Sequence, residues 1–260
     1  MKFSHRKQRP SSDRGMVLVA ILWVIVLQAM LATALLTMSR VEIRNVGLDQ
    51  DQLQAGEVVR SAINLAVVAL TDPNQHWRID GVPQTITIDK VPVSVTITSE
   101  SGKIDLNYGS PDLIRGLLTA VGEGPSAADE ITNEIVARRE KGGFSNPAEL
   151  LQFPEVSRDL YGRLASSLTL YSASSSVDIS VAPIDVLLAI PGNTRADAEA
   201  EMARRTLRGN SPDATRPALA GQAYTIKGNL SAPGIIGASR TEIIRLTGNA
   251  RAPIFVLQVN

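Results

Sequence analysis

The 260-residue chain contains no cysteine. Disulfides and thiolate metal sites are therefore excluded, although a cysteine-free chain is compatible with any compartment. Histidine is nearly absent too: there are two, His5 and His76, and His5 lies in a basic stretch at the start. A multi-histidine metal centre or a histidine-rich active site is excluded beyond that stretch. There is no excess of either charge, with 26 basic residues against 26 acidic ones. Such a balance gives no electrostatic reason to bind nucleic acid. Charge is missing altogether between Arg14 and Arg40, and residues 16–38 contain neither glycine nor proline. The apolar content of 44% is enough for a real core, and the length allows one large domain or two small ones after that segment.

The uncharged run begins at Met16 and ends at Met38, reading MVLVAILWVIVLQAMLATALLTM. A bilayer core of about 30 Å needs roughly 20 helical residues to cross it, so this run is long enough. Within lipid each backbone polar group must be bonded inside the segment, which requires a helix. Lys2, Arg6, Lys7, Arg9 and Arg14 precede it against one acid, Asp13, for a net charge of +4. The positive flank stays cytoplasmic, so the rest of the chain is expected on the far side. An ordinary signal peptide has a shorter apolar core of about 7–15 residues and a small-residue cleavage site after it. Here the processing feature, Arg14-Gly15, lies before the run.

A basic leader, then glycine, then an uninterrupted apolar helix resembles the class III signal of type IV pilins and type II secretion pseudopilins. The resemblance implies cleavage by a prepilin peptidase between Gly15 and Met16, with methylation of the new N-terminus at Met16. A plain uncleaved signal anchor or a Sec signal is the alternative for this segment. Most pilins carry Glu as the fifth mature residue; counted from Met16 the fifth residue is Ala20. A glutamate in lipid needs a partner, and a subunit with alanine cannot offer that pairing in an assembled filament.

Beyond the apolar run, apolar residues continue at helical spacing as far as Leu70, before Asp72-Pro73-Asn74. Residues 84–89 and 92–99 alternate as strands, Ser101-Gly102 turns the chain, and 103–107 is grouped with the same sheet. Residues 111–165 read as helices in a helix-hairpin-helix or SAM-like layout around Gly122 and Gly124. Six basic residues oppose nine acidic ones there, a net of −3, and the turn holds Glu123 rather than a lysine. The layout is therefore read without the phosphate-gripping role that such turns serve in DNA-binding versions. A strand at 168–171, a second helical hairpin starting at Pro183, a loop at 208–220 and strands at 223–227, 241–246 and 253–259 follow. The last strand is apolar enough to be expected in the middle of its sheet.

Three blocks make the resemblance specific: Gly102-Lys103-Ile104-Asp105-Leu106-Asn107, then Gly142-Gly143-Phe144-Ser145-Asn146-Pro147-Ala148-Glu149-Leu150, then the stretch from Val177 to Pro191. In order and spacing they are similar to the general secretion pathway protein K family, the minor pseudopilin K of type II secretion systems. Asp105, Asp178 and Ser180 stand where that family usually has Asn, and Val181 where it has Thr. Missing the fifth-position Glu is also typical of this family.

The resemblance implies an α+β fold: a pilin-like long N-terminal helix packed on an antiparallel sheet, with a large inserted helical domain. The expected organisation is a cleaved leader at 1–15, a transmembrane segment at 16–38, and a periplasmic continuation of the helix at 39–72. The sheet would take 73–107 and 221–260, and the insert 108–207 with a short strand near 168–181. It further implies a single-pass inner-membrane protein with its N-terminus in the cytoplasm and its C-terminal domain in the periplasm. At the pseudopilus tip it would form a heterotrimer with minor pseudopilins I and J, followed by minor pseudopilin H and the major pseudopilin. That assembly serves export of folded proteins across the outer membrane, and no catalytic residue is expected.

Two other readings remain at this point. One is a membrane-anchored helix-hairpin-helix DNA-binding protein of a competence or type IV pilus system, which needs a basic hairpin. The other is a tethered periplasmic enzyme, for which no nucleophile–base pair is evident. His76 beside Trp77 reads as a loop residue, and Asp129-Glu130 as acids favoured at a helix start. No cofactor is required. The residues allow calcium, because oxygen ligands, which that ion takes, cluster around Asp105, Asp112, Asp178 and Asp185, without EF-hand spacing.

Overall fold

The computed structural model describes residues 13–72, 77–208, 220–231, 237–249 and 251–259. The leader through residue 12, His76, and most of the loop at 208–220 lie outside the described residues. The chain forms two units, Met1–Leu53 and Gln54–Asn260. Helical backbone, α1, is assigned over Asp13–Thr71 and contributes to both.

In the first unit the side chains of Leu18 to Leu31 form a helix that is apolar on every side. Its large hydrophobic residues are between 42% and 72% exposed. The second unit begins with the last part of α1, where Ala55, Val59, Ala62, Ile63, Ala66, Val67 and Leu70 are buried. Their spacing of three and four residues puts them on one stripe. That stripe packs on Val93, Val95, Ile97, Tyr224, Ile226, Ile244 and Leu246 of an antiparallel sheet.

The sheet has five strands: β1 (Gln84–Ile88), β2 (Val91–Ser99), β5 (Ala223–Leu230), β6 (Ala238–Leu246) and β7 (Ile254–Val259). They lie in the order β1-β2-β5-β6-β7. Alternating burial along β2 and β5 matches a sheet with one face on the helix. Asp89, read as the end of the first strand, sits instead in a two-residue turn with Lys90. Their φ values of 47° and 70° fit the primed hairpin turns that match strand twist. Gly228 lets β5 approach α1: a Cβ there would meet Val59 Cγ1 at 2.7 Å.

Two expectations are corrected. β7 is an edge strand, not a central one; Phe255, Val256 and Val259 are 63%, 45% and 47% exposed. The consecutive antiparallel pairing β5–β6–β7 carries it outward whatever its composition. Residues 103–107 do not join the main sheet either. Ile104–Asp105, β3, pairs in parallel with Leu168–Thr169, β4, and this small sheet lies among the helices.

Between β3 and β5 come α2 (Pro111–Ala120), α3 (Pro125–Glu140), a 3-10 helix at Pro147–Gln152, α4 (Arg158–Leu164), α5 (Ile184–Ala189) and α6 (Arg195–Arg208). They share a separate core that includes Ile104, Leu106, Leu117, Ile131, Leu150, Leu160 and Leu187. Buried polar groups join this insert to the sheet. Glu100 Oε1 accepts from Lys103 Nζ and from Thr225 Oγ1 of β5, both at 2.6 Å, and Oε2 accepts from Thr169 of β4. Arg245 donates to the Tyr171 carbonyl at 3.0 Å, and the Tyr171 hydroxyl is 2.9 Å from Gln258 Oε1.

Candidate functional site

The N-terminal helix is the first candidate surface. Gly15 and Met16 fall within the backbone assigned to α1, and Ala20 is exposed on it. An all-round apolar helix is stable only when lipid or other helices cover it. Thr33, at its far end, satisfies its hydroxyl on the Ala29 carbonyl one turn back. Residues 52–71 are also long and apolar enough to span a bilayer by length and composition, but 39% of that stretch is buried. Its buried face is the one already packed on the sheet, so it serves as a core helix.

The three sequence blocks meet in the insert. Gly102 lies against the backbone of Val181 and Ala182, where a Cβ would come within 2.7 Å. The Asn107 side chain accepts from Phe144 N at 2.8 Å and donates to the Phe144 carbonyl at 3.0 Å. Asp178 N donates to the Ser101 carbonyl at 2.8 Å. Glu149 closes a capping box at the start of the 3-10 helix, accepting from Ser145 N and Asn146 N at 3.0 Å and from Ser145 Oγ at 2.6 Å. The Ser145 hydroxyl, helped by the Arg138 guanidinium, holds its carboxyl down to about 2. Burial lowers the Arg139 pKa; its guanidinium donates to the Leu106 carbonyl at 2.7 Å.

The four aspartates that suggested calcium have separate places. Asp105 is buried, and both oxygens are engaged: Oδ1 by Asn107 N and Tyr108 N, Oδ2 by Ser172 Oγ and Ala173 N. Asp178 accepts from Ser180 N and Oγ. Asp112 pairs with Arg115 at 2.8 Å on α2, and Asp185 sits in the first turn of α5. Among the described residues no group of three or more acidic or histidine side chains is arranged to hold a metal ion.

The helical hairpin α2–α3 turns at Gly122, whose φ is 98°, with Gly124 as the N-cap of α3. Arg163 of α4 occupies this turn, donating to the Val121 carbonyl and to Glu123 Oε1 at 3.1 Å. The turn thus presents a carboxylate already paired within the fold, which is the wrong charge for a phosphate backbone. Asp129 pairs with Arg115; α3 starts at Pro125 with no acid in its first turn, so Asp129-Glu130 do not stand at the helix start where they were expected. The hydroxyl–carboxylate contacts at Ser172–Asp105 and Ser180–Asp178 belong to loop turns, where the same carboxylates also take backbone N–H groups. A serine-lined cleft of about 260 Å³ opens among Ser101, Ser172, Ser174, Ser176 and Asp178. Sequence reasoning missed the Glu100 network and the Arg163 contact, because Thr169 and Thr225 lie 69 and 125 residues from Glu100, and Val121 and Glu123 lie 42 and 40 from Arg163.

No family model matches the chain. No curated protein sequence matches it either. Among solved structures, it is similar to a chain of the crystal structure of the GspK-GspI-GspJ complex from enterotoxigenic Escherichia coli Type 2 Secretion System. The TM-score is 0.55 at 13% identity, over 83% of this chain and 98% of that one. At that identity the likeness is one of fold: an N-terminal helix with an antiparallel sheet and helices, the pseudopilin-like α+β arrangement.

Proposed function

We propose that this chain is a minor pseudopilin of a type II secretion system, a structural subunit rather than an enzyme. It sits at the tip of the pseudopilus and initiates assembly with minor pseudopilins I and J. Minor pseudopilin H and the major pseudopilin then follow, and the filament serves export of folded proteins across the outer membrane. Prepilin peptidase removes residues 1–15 and Met16 is methylated. The apolar helix waits in the inner membrane, with the rest of the chain in the periplasm, and then packs among other helices in the filament.

The observation that carries this reading is the helical insert between β3 and β5, on a helix-and-sheet scaffold similar to a chain of a pseudopilin complex. A bulky insert disfavours stacking of another subunit above it, which supports the tip. Ala20 agrees, since a tip subunit has no neighbour above to pair with.

The test is the mass of the N-terminal peptide from cells with and without prepilin peptidase, followed by co-purification with minor pseudopilins I and J. The expected peptide begins at methylated Met16 and appears only with the peptidase. A chain starting at Met1, or cut beyond Met38, overturns the reading.

A further inference from the structure

One side chain interrupts the apolar surface of the N-terminal helix. Gln28 is the single carboxamide between Arg14 and Arg40. It stands near the middle of the apolar run, about 18 Å from Met16 and about 15 Å from Met38 along a helix. From there a glutamine side chain is too short to reach either interface of a bilayer. It is exposed on α1, and among the described residues its side chain takes no hydrogen-bond partner. The hydroxyl nearest to it along the helix, that of Thr33, is committed to the Ala29 carbonyl. A carboxamide carries N–H donors and a carbonyl that lipid tails cannot satisfy.

Its surroundings form a seam. Ile21, Val24, Gln28 and Leu31 follow at spacings of three and four residues and share one face of the helix. All four are exposed. We propose that Gln28 is the contact at which two copies of this chain pair in the membrane, α1 against α1 in parallel, each carboxamide donating to the carbonyl of the other. This pairing rests on the reading that the helix lies in the inner membrane. It describes the stored form, which separates before a single copy enters the tip.

The chemistry selects a second copy as the occupant. The basic residues before the run give every copy the same orientation, so every Gln28 lies at the same depth. A carboxamide is its own complement, because it holds donor and acceptor side by side. The seam around it is uncharged, so no repulsion opposes the approach. In paired helices one polar residue on such a seam fixes register and oligomeric state. Between membrane helices, side-chain hydrogen bonds of this kind hold the pair where lipid gives no hydrophobic drive.

The chain has no cysteine, so single introduced thiols report the contact. Val24→Cys lies on the seam, and Val26→Cys on the opposite side of the helix. Each is made in the full-length chain and expressed in a bacterial host without other pseudopilins, and the isolated inner membranes are oxidised with copper phenanthroline. Val24→Cys is expected to give a disulfide-linked dimer, and Val26→Cys only monomer. Adding Gln28→Leu to the Val24→Cys chain should lower the dimer-to-monomer ratio roughly 5- to 30-fold at low expression. Gln28→Asn, which keeps the carboxamide, should preserve the dimer. Monomer alone at Val24→Cys overturns the pairing and leaves Gln28 to the helix of another pseudopilin. Equal linking at both positions, or an unchanged ratio in Gln28→Leu, overturns it as well. A membrane-impermeant maleimide gives the separate readout. Labelling of either thiol in intact membranes overturns the membrane placement itself, whereas shielded thiols without a dimer overturn the pairing alone.

Discussion

Asp105 shows what one side chain decides here. It is buried beneath four donors, two from its own turn and two from 67 and 68 residues further on. Replacing it with Asn keeps the shape but turns one acceptor into an NH2 facing other donors. Asp105→Asn should cost about 1–3 kcal/mol, read as a lowered thermal midpoint with unchanged secondary structure. From the sequence, Asp105 reads both as a departure from the usual Asn and as a calcium candidate. Neither reading reveals the carboxylate as the stitch between β3 and the loop after β4, because two of its four donors come from a remote segment. Glu149 is held locally instead: at Asn146-Pro147-Ala148-Glu149 it closes a capping box with neighbouring backbone, a local pattern that went unread in the sequence.

Elements meet most closely where glycine removes a side chain. On α2, a Cβ at Gly116 would lie 2.1 Å from the Ala189 carbonyl of α5. That neighbour is backbone and has no rotamer to escape into, so the helices must part. Gly116→Val is expected to destabilise the protein by about 3 kcal/mol, measured by denaturant midpoint. Gly162, inside α4 with nothing within 4 Å of its virtual Cβ, is the control. Gly162→Ala there should stabilise by up to about 1 kcal/mol. Strands β1, β2, β5 and β6 were readable because alternation is a local record of a half-buried face. The position of β7 was not, since apolarity records that a strand wants cover and not which neighbours it has. Its exposed Phe255, Val256 and Val259 lie at the sheet edge.

For the molecule as a whole, the first unit carries a helix apolar on every side, and the second buries a core of its own. The apolar helix was legible without any tertiary information, because charge exclusion and length are properties of the segment itself. Gly15→Lys should block processing and leave the precursor in the membrane; mature protein that still supports secretion would remove the leader assignment. The sheet carries another consequence. Glu100 and Thr225, joined at the root of the insert, are 125 residues apart, and β2 pairs directly with β5. A hairpin would close that pairing with two residues. Here the closure spans roughly six doublings of loop length, each costing about 0.6 kcal/mol of chain entropy. An uncollapsed insert taxes the β2–β5 pairing by several kcal/mol, whereas a folded one delivers its two ends side by side. A folded insert between β3 and β5 thus lowers the entropic cost of bringing β2 and β5 together.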